Sequence, residues 1–146
     1  FPTVIDSYGD RADGLTSEVW WSPHHPFASS LDGTTAKDLA GGYTTATGRP
    51  WTQPIGFKHA LFEVAADVIK RAEDLEDYEA ITAAIAATKL DTIVGTVDWS
   101  NGPVKNVSKT PLVGGQWQKE GDTFDLKIVA NSAHTDIPLT GELKLI

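Results

Sequence analysis

The 146-residue chain contains no cysteine and no methionine. The first absence excludes disulfides, thiolate metal sites and a cysteine nucleophile, and it suits an oxidising compartment. The second, with Phe1 leading the chain and no signal-peptide pattern, reads as a processed or cut polypeptide, so a longer protein is expected. Basic residues are scarce: 12 Lys and Arg against 20 Asp and Glu give a formal charge of −8 and an isoelectric point near 4.8. Phosphate backbones and anionic lipid surfaces attract the opposite sign, so neither a nucleic-acid nor a membrane-surface partner is expected. No apolar run approaches the ~20 residues of a membrane span, and no membrane insertion is expected. Hydrophobic content of 40% is ordinary, and the length is that of one domain able to bury a sizeable core.

What is there is organised around Trp20-Trp21-Ser22-Pro23-His24-His25-Pro26-Phe27. Each X-Pro step favours extended backbone, and proline cannot donate to a ladder, so a rigid non-helical connector is expected. Two adjacent indoles are costly to leave wet, and each N–H needs a partner. Two readings stand at this point: a hinge whose aromatics face a cleft, or core packing at a strand end.

The rest of the chain is taken in order. Residues 10–14, Asp-Arg-Ala-Asp-Gly, fail the calcium-loop spacing and read as a solvated turn. A strand is expected over about 15–21. Thr34 or Thr35 caps a first helix, which Gly48 ends. The strongest helix runs from about Gly56 to Ala72, with Phe57, Leu61, Val64 and Val68 on one face and Phe62, Ala65, Ala66 and Ile69 widening it. Such an apolar helix is expected to be sandwiched between a sheet and another helix. Asp77 caps a third helix, about 78–88. From Leu90 the pattern turns to strands: a β run at Thr92-Ile93-Val94, another at 97–100 before Asn101-Gly102, a hairpin with arms 112–117 and 124–129, and a final strand at 141–146. The class is α/β, three helices followed by strands and a β-hairpin.

Little of the chain carries the spacing of catalysis. His24 and His25 are adjacent and point to opposite sides of an extended segment, so they do not share a metal. His59 and Glu63 could offer two ligands from one helix face, without an identifiable third. No nucleophile elbow or phosphate loop exists, and Gly114-Gly115 inside a strand pattern reads as a bulge. No catalytic residue, metal or cofactor is expected. Asn106-Val107-Ser108 matches a glycosylation sequon too short to decide anything. What survives is a set of aromatics and an amide near segment ends: Trp20, Trp21, Phe27, Trp51, Gln53 and Phe57. Pockets for small molecules are mostly apolar with a few placed polar groups, although aromatics in a domain this size are usually core.

The order of several motifs resembles the type I periplasmic binding proteins that feed ABC transporters, the leucine/isoleucine/valine-binding family. The matching features are Gly14-Leu15 leading to Trp20-Trp21-Ser22-Pro23, the helix Phe57–Arg71, Leu90-Asp91-Thr92-Ile93-Val94-Gly95 with Val97-Asp98-Trp99, and the hairpin 112–129. The similarity spans about 14–130, and only the C-terminal portion of such a protein is represented. It implies two α/β lobes joined by three crossing strands, with the ligand between them. Residues 1–20 would end lobe 2, 21–111 would belong to lobe 1, and 112–146 would return to lobe 2. The residues gripping the ligand's carboxylate and ammonium would lie upstream of Phe1.

In the matching register Gln53 stands where branched-chain binders place an aromatic residue. The resemblance thus implies a periplasmic, non-enzymatic receptor for an amino acid or a small aromatic carboxylate, working with an ABC transporter permease. Trp20, Trp21, Gln53 and Phe57 would line its cleft. The alternatives are a ligand-sensing regulator on the same fold and a hydrolase using His24, His25 or His59. A cut chain should also expose the apolar face of helix 56–72 or bury it by self-association.

Overall fold

The computed structural model describes residues 2–145. Helix α1 (Pro2–Tyr8) and a 3-10 turn (Gly9–Ala12) lead into strand β1 (Thr16–Val19). Helices α2 (Ala36–Thr47), α3 (Pro54–Arg71) and α4 (Tyr78–Ala86) follow. A short antiparallel pair, β2 (Lys89–Thr92) and β3 (Gly95–Asp98), precedes the long hairpin β4 (Val113–Glu120) and β5 (Thr123–Ala130). Strand β1 returns to pair antiparallel with β4, giving a three-stranded sheet in the order β1-β4-β5. None of the described helices is long and apolar enough to cross a membrane.

Local chemistry explains most boundaries. Thr35 Oγ1 accepts from Asp38 N at 3.1 Å and donates to its carboxylate at 2.7 Å, which starts α2. Gly48 ends α2 in the left-handed region, φ 66°, where a β-carbon would be strained. Asp77 Oδ1 caps α4 through Glu79 N at 2.9 Å. The expected bulge appears as a register shift between Gly114 and Gly115.

Other expectations are corrected. The N-terminal residues carry a helix that their β-branched composition did not announce; α1 is held by Ile5, buried with Trp117, Leu126 and Ile128. Thr92-Ile93-Val94 is not a continuous strand. Thr92 ends β2 and Ile93-Val94 form the buried turn, because Thr92 Oγ1 accepts from Val94 N at 3.2 Å and donates to Gly95 O at 2.7 Å. Residues 141–145 do not form a strand either, and Ile146 lies outside the described residues. Glutamine side chains take the place of a ladder there: Lys144 N donates to Gln116 Oε1, and the amides of Gln116 and Gln118 donate to Lys144 O and Glu142 O.

The buried face of α3 also differs from the expected one. Gly56, Ala60, Glu63 and Val68 are buried, whereas Leu61 is 62% exposed and Phe62 71%. Small residues let the helix approach Trp21 and Ile93 closely, and a β-carbon on Gly56 would collide with the Trp21 ring. The helix does meet strand β2 and the helices α2 and α4, as expected, but these contacts leave Leu61, Phe62 and Ile69 exposed. Its outer apolar face stays open.

Two apolar clusters result. One gathers Ile5, Val19, Trp117, Leu126 and Ile128 around the sheet; the other gathers Trp21, Ala36, Ala40, Ala60, Ile93 and Val94 around α2 and α3. Trp51 packs against both.

Candidate ligand cleft at the Trp20–Trp21 junction

Beyond Val19 the chain leaves the sheet cluster, and extended backbone turns successive side chains to opposite sides. Trp21 goes inward and is fully buried. Its Nε1 donates to Ile93 O at 3.2 Å, and its ring meets Trp51 edge-on at 6.2 Å. Trp20 goes the other way, remains half-buried, and sets its ring edge-on to Phe57 at 5.0 Å.

Trp20 forms part of the wall of a cleft of about 230 Å³. The loop Pro50–Pro54 supplies Trp51, Thr52 and Gln53, and the hairpin supplies Trp117, Phe124 and Leu126. Ser17 and Glu18 close the β1 side. The wall is thus mostly aromatic with a few polar groups, a composition suited to an amphipathic small molecule. Glu18 and Asp125 are the ionisable liners among the described residues. Asp125 is already engaged, since Lys127 Nζ lies 2.8 Å from its carboxylate and 2.8 Å from that of Glu120. The two carboxylates raise the Lys127 ammonium above its ordinary value, with Asp125 the stronger influence.

The histidines lie elsewhere; none of them lines this cleft. His25 is buried, and its Nδ1 accepts from Ser22 N at 3.1 Å, which leaves the proton of the neutral ring on Nε2. Burial, and then the neighbouring His24, push the His25 imidazole down to about 4. Burial also holds exposed-side His24 below its ordinary value. Ser22 Oγ lies 3.0 Å from His25 Nδ1, but both residues are enclosed and offer no surface to a substrate. His59 Nε2 contacts Ser29 Oγ at 2.7 Å, again with the hydroxyl buried.

Glu63, the other half of the metal alternative, is fully buried and occupied by protein donors. It accepts from Ser30 N at 2.6 Å, Ser30 Oγ at 2.9 Å and Ile93 N at 3.1 Å. This carboxylate fastens the loop after the connector and the β2–β3 turn to α3. That is a structural task, and it leaves little capacity for a metal.

Of the four residues expected to bind ligand, the structure brings Trp20 and Gln53 to the cleft wall. Trp21 stands behind that wall in the core. Phe57 buttresses Trp20 and otherwise faces a neighbouring apolar hollow of about 200 Å³ with Ala60, Val94, Val97 and Trp99. Sequence reasoning missed Trp117, Phe124 and Leu126. Their signal was the pleat: once the turn at Gly121-Asp122 is placed, Trp117 pairs with Leu126 and Phe124 lies two residues away on the same face.

No family model matches the sequence, and no curated protein matches it. Solved structures do. A leucine binding protein, LivK, from Thermotoga maritima superposes with a TM-score of 0.60 at 18% identity, over 90% of this chain and 35% of that one. An ABC transporter substrate-binding protein from Sphaerobacter thermophilus gives 0.60 at 17% identity, over 87% and 33%. A solute binding protein of an ABC transporter from R. palustris, in complex with benzoate, gives 0.54 at 14%, over 91% and 36%. The chain spans about a third of the length of these structures. The chain shares the fold of part of a type I periplasmic binding protein.

Proposed function

We propose that the chain is the C-terminal part of an extracytoplasmic solute-binding protein, which hands an amino acid or a small aromatic carboxylate to an ABC transporter permease. One observation carries this reading: the cleft opens where the sheet cluster and the helix cluster meet, beside the residues at which the backbone leaves one for the other. Residues 1–20 and 112–146 then belong to lobe 2 and residues 21–111 to lobe 1, a division that the separate apolar clusters support. The role is binding without turnover and places the protein in the periplasm. Closure is favoured by contacts that exist only when both lobes meet the ligand.

The chemistry of the wall orients the ligand. Trp20, Trp51 and Phe124 receive an apolar or aromatic side chain, and Glu18 beside them favours an ammonium over a carboxylate. This supports an amino acid over an acid that lacks an amine.

The test is a thermal-shift screen of amino acids and aromatic acids on the full-length protein. Ligand at about 100 times its dissociation constant adds roughly 2.7 kcal/mol to apparent stability. Trp20→Ala should weaken the binding of any hit about tenfold, through the loss of one aromatic contact. Absence of any shift across both ligand classes would remove the proposal.

A further inference from the structure

Gln53 stands in the cleft wall, yet most of its hydrogen-bonding capacity is spent on backbone. Its Oε1 accepts from Trp20 N at 2.8 Å and, more weakly, from Trp21 N at 3.4 Å. Its Nε2 donates to Glu18 O at 3.2 Å. A single Nε2 hydrogen is left for the cleft. The residue directly precedes Pro54 and has helical backbone angles, φ −52° and ψ −39°, so its main chain moves with α3. Its partners belong to the end of β1 and to the chain leaving it.

Among the described residues, the bonds from Gln53 to Glu18 and Trp20 are the only hydrogen bonds or ion pairs between residues 2–20 or 112–145 and residues 21–111. The other interactions across the junction include apolar contacts, such as Trp20 on Phe57 and Trp51 against both clusters, and charge interactions without a hydrogen bond, such as those of His24 with Asp125 and Lys127. Apolar contacts are non-directional and tolerate sliding. Hydrogen bonds are not: they weaken steeply as their angle closes. The directional part of the restraint across the junction is therefore concentrated in one side-chain amide.

We propose that Gln53 is a hinge latch, a positioning residue whose amide sets the resting angle between the two bodies and against which ligand-driven closure works. The proposal rests on the two-lobe reading above and deepens it, assigning Gln53 to the hinge rather than to the ligand's polar group.

These 146 residues contribute no native cysteine to the labelling. Asp122→Cys, at the exposed tip of the β4–β5 turn, and Glu76→Cys, in the exposed loop between α3 and α4, give one label on each body. Inter-label distances are measured by pulsed dipolar spectroscopy on the ligand-free full-length protein, with Gln53, Gln53→Glu and Gln53→Ala. Gln53→Ala is expected to shift the mean distance and broaden its distribution about twofold. Gln53→Glu keeps the acceptor for Trp20 N but loses the donor to Glu18 O, and should fall in between. A distribution unchanged in a folded Gln53→Ala protein overturns the latch. Should that variant not fold, an unchanged distribution in Gln53→Glu overturns it equally. Because no ligand enters the measurement, a failed ligand screen removes the proposed ligand while leaving this result to stand or fall alone.

Discussion

The sheet cluster and the helix cluster hold themselves together by different means. Around the sheet, three strands share a continuous ladder, and the tail is fastened by neutral amides: Gln116 and Gln118, both buried, bond to Gly14 O, Glu142 O and Lys144 O. Around α2 and α3 the described residues offer only the short two-stranded β2–β3 ladder. Small residues, Ala36, Ala40, Gly56 and Ala60, crowd a single large ring, Trp21, and one carboxylate, Glu63, collects the nearby loop donors. The first arrangement spreads its bonds over many residues. The second concentrates them in two, so single substitutions should separate the regions sharply.

The largest effect is expected for Trp21→Ala, about 3–5 kcal/mol of stability in denaturant unfolding, since it empties the centre of the helix cluster. Trp20→Ala, one residue away but half-exposed, should cost about 1 kcal/mol. Equal losses would break the distinction between core and cleft tryptophans. Glu63→Ala comes next, at about 3 kcal/mol, because Ile93 N loses its acceptor in a buried setting and Ser30 N in a part-buried one.

Acid should also weaken the protein through His25. Its folded value of about 4 lies below the ordinary 6.5, so above 6.5 the ring is neutral in both states and carries no penalty. As pH falls below 6.5 the unfolded chain takes up the proton first, and stability declines until about 4, by up to about 3 kcal/mol. His24, depressed in the same direction, adds to that slope. His25→Asn, which cannot titrate, should flatten the decline in pH-dependent unfolding between 6.5 and 5. The smallest effect is expected for Gln118→Leu, about 1 kcal/mol, because Gln116 Oε1 keeps its bond from Lys144 N and the exposed Glu142 can bond to water instead. A loss as large as that of Glu63→Ala would show the sheet side to be no more redundant than the helix side.

Much of the fold was legible where the signal is local. Thr35, Gly48 and Asp77 marked the helix ends because a cap is a contact within one turn of chain. The β4–β5 hairpin and its bulge were legible for the same reason. The outward face of α3 was not. Its hydrophobic periodicity points to Leu61 and Phe62, yet the side that packs is the one with Gly56, Ala60 and Glu63. Close approach to Trp21 selected the small residues, and no pattern along the helix encodes a ring contributed from 35 residues upstream.

The candidate site divides along the same line. That two tryptophans on an extended, proline-bounded segment face opposite ways follows from strand geometry alone. Which of them is core depends on where Ile93 O and Gly56 come to lie. Composition alone determined what these 146 residues lack, namely cysteine, an excess of basic residues and a membrane-length apolar run. Local pattern determined the elements and the bend between them. Only the tertiary structure decided that Gln53 holds backbone and that Glu63 is fully enclosed, because a polar side chain's role is set by partners some thirty residues away that folding alone brings within hydrogen-bond reach.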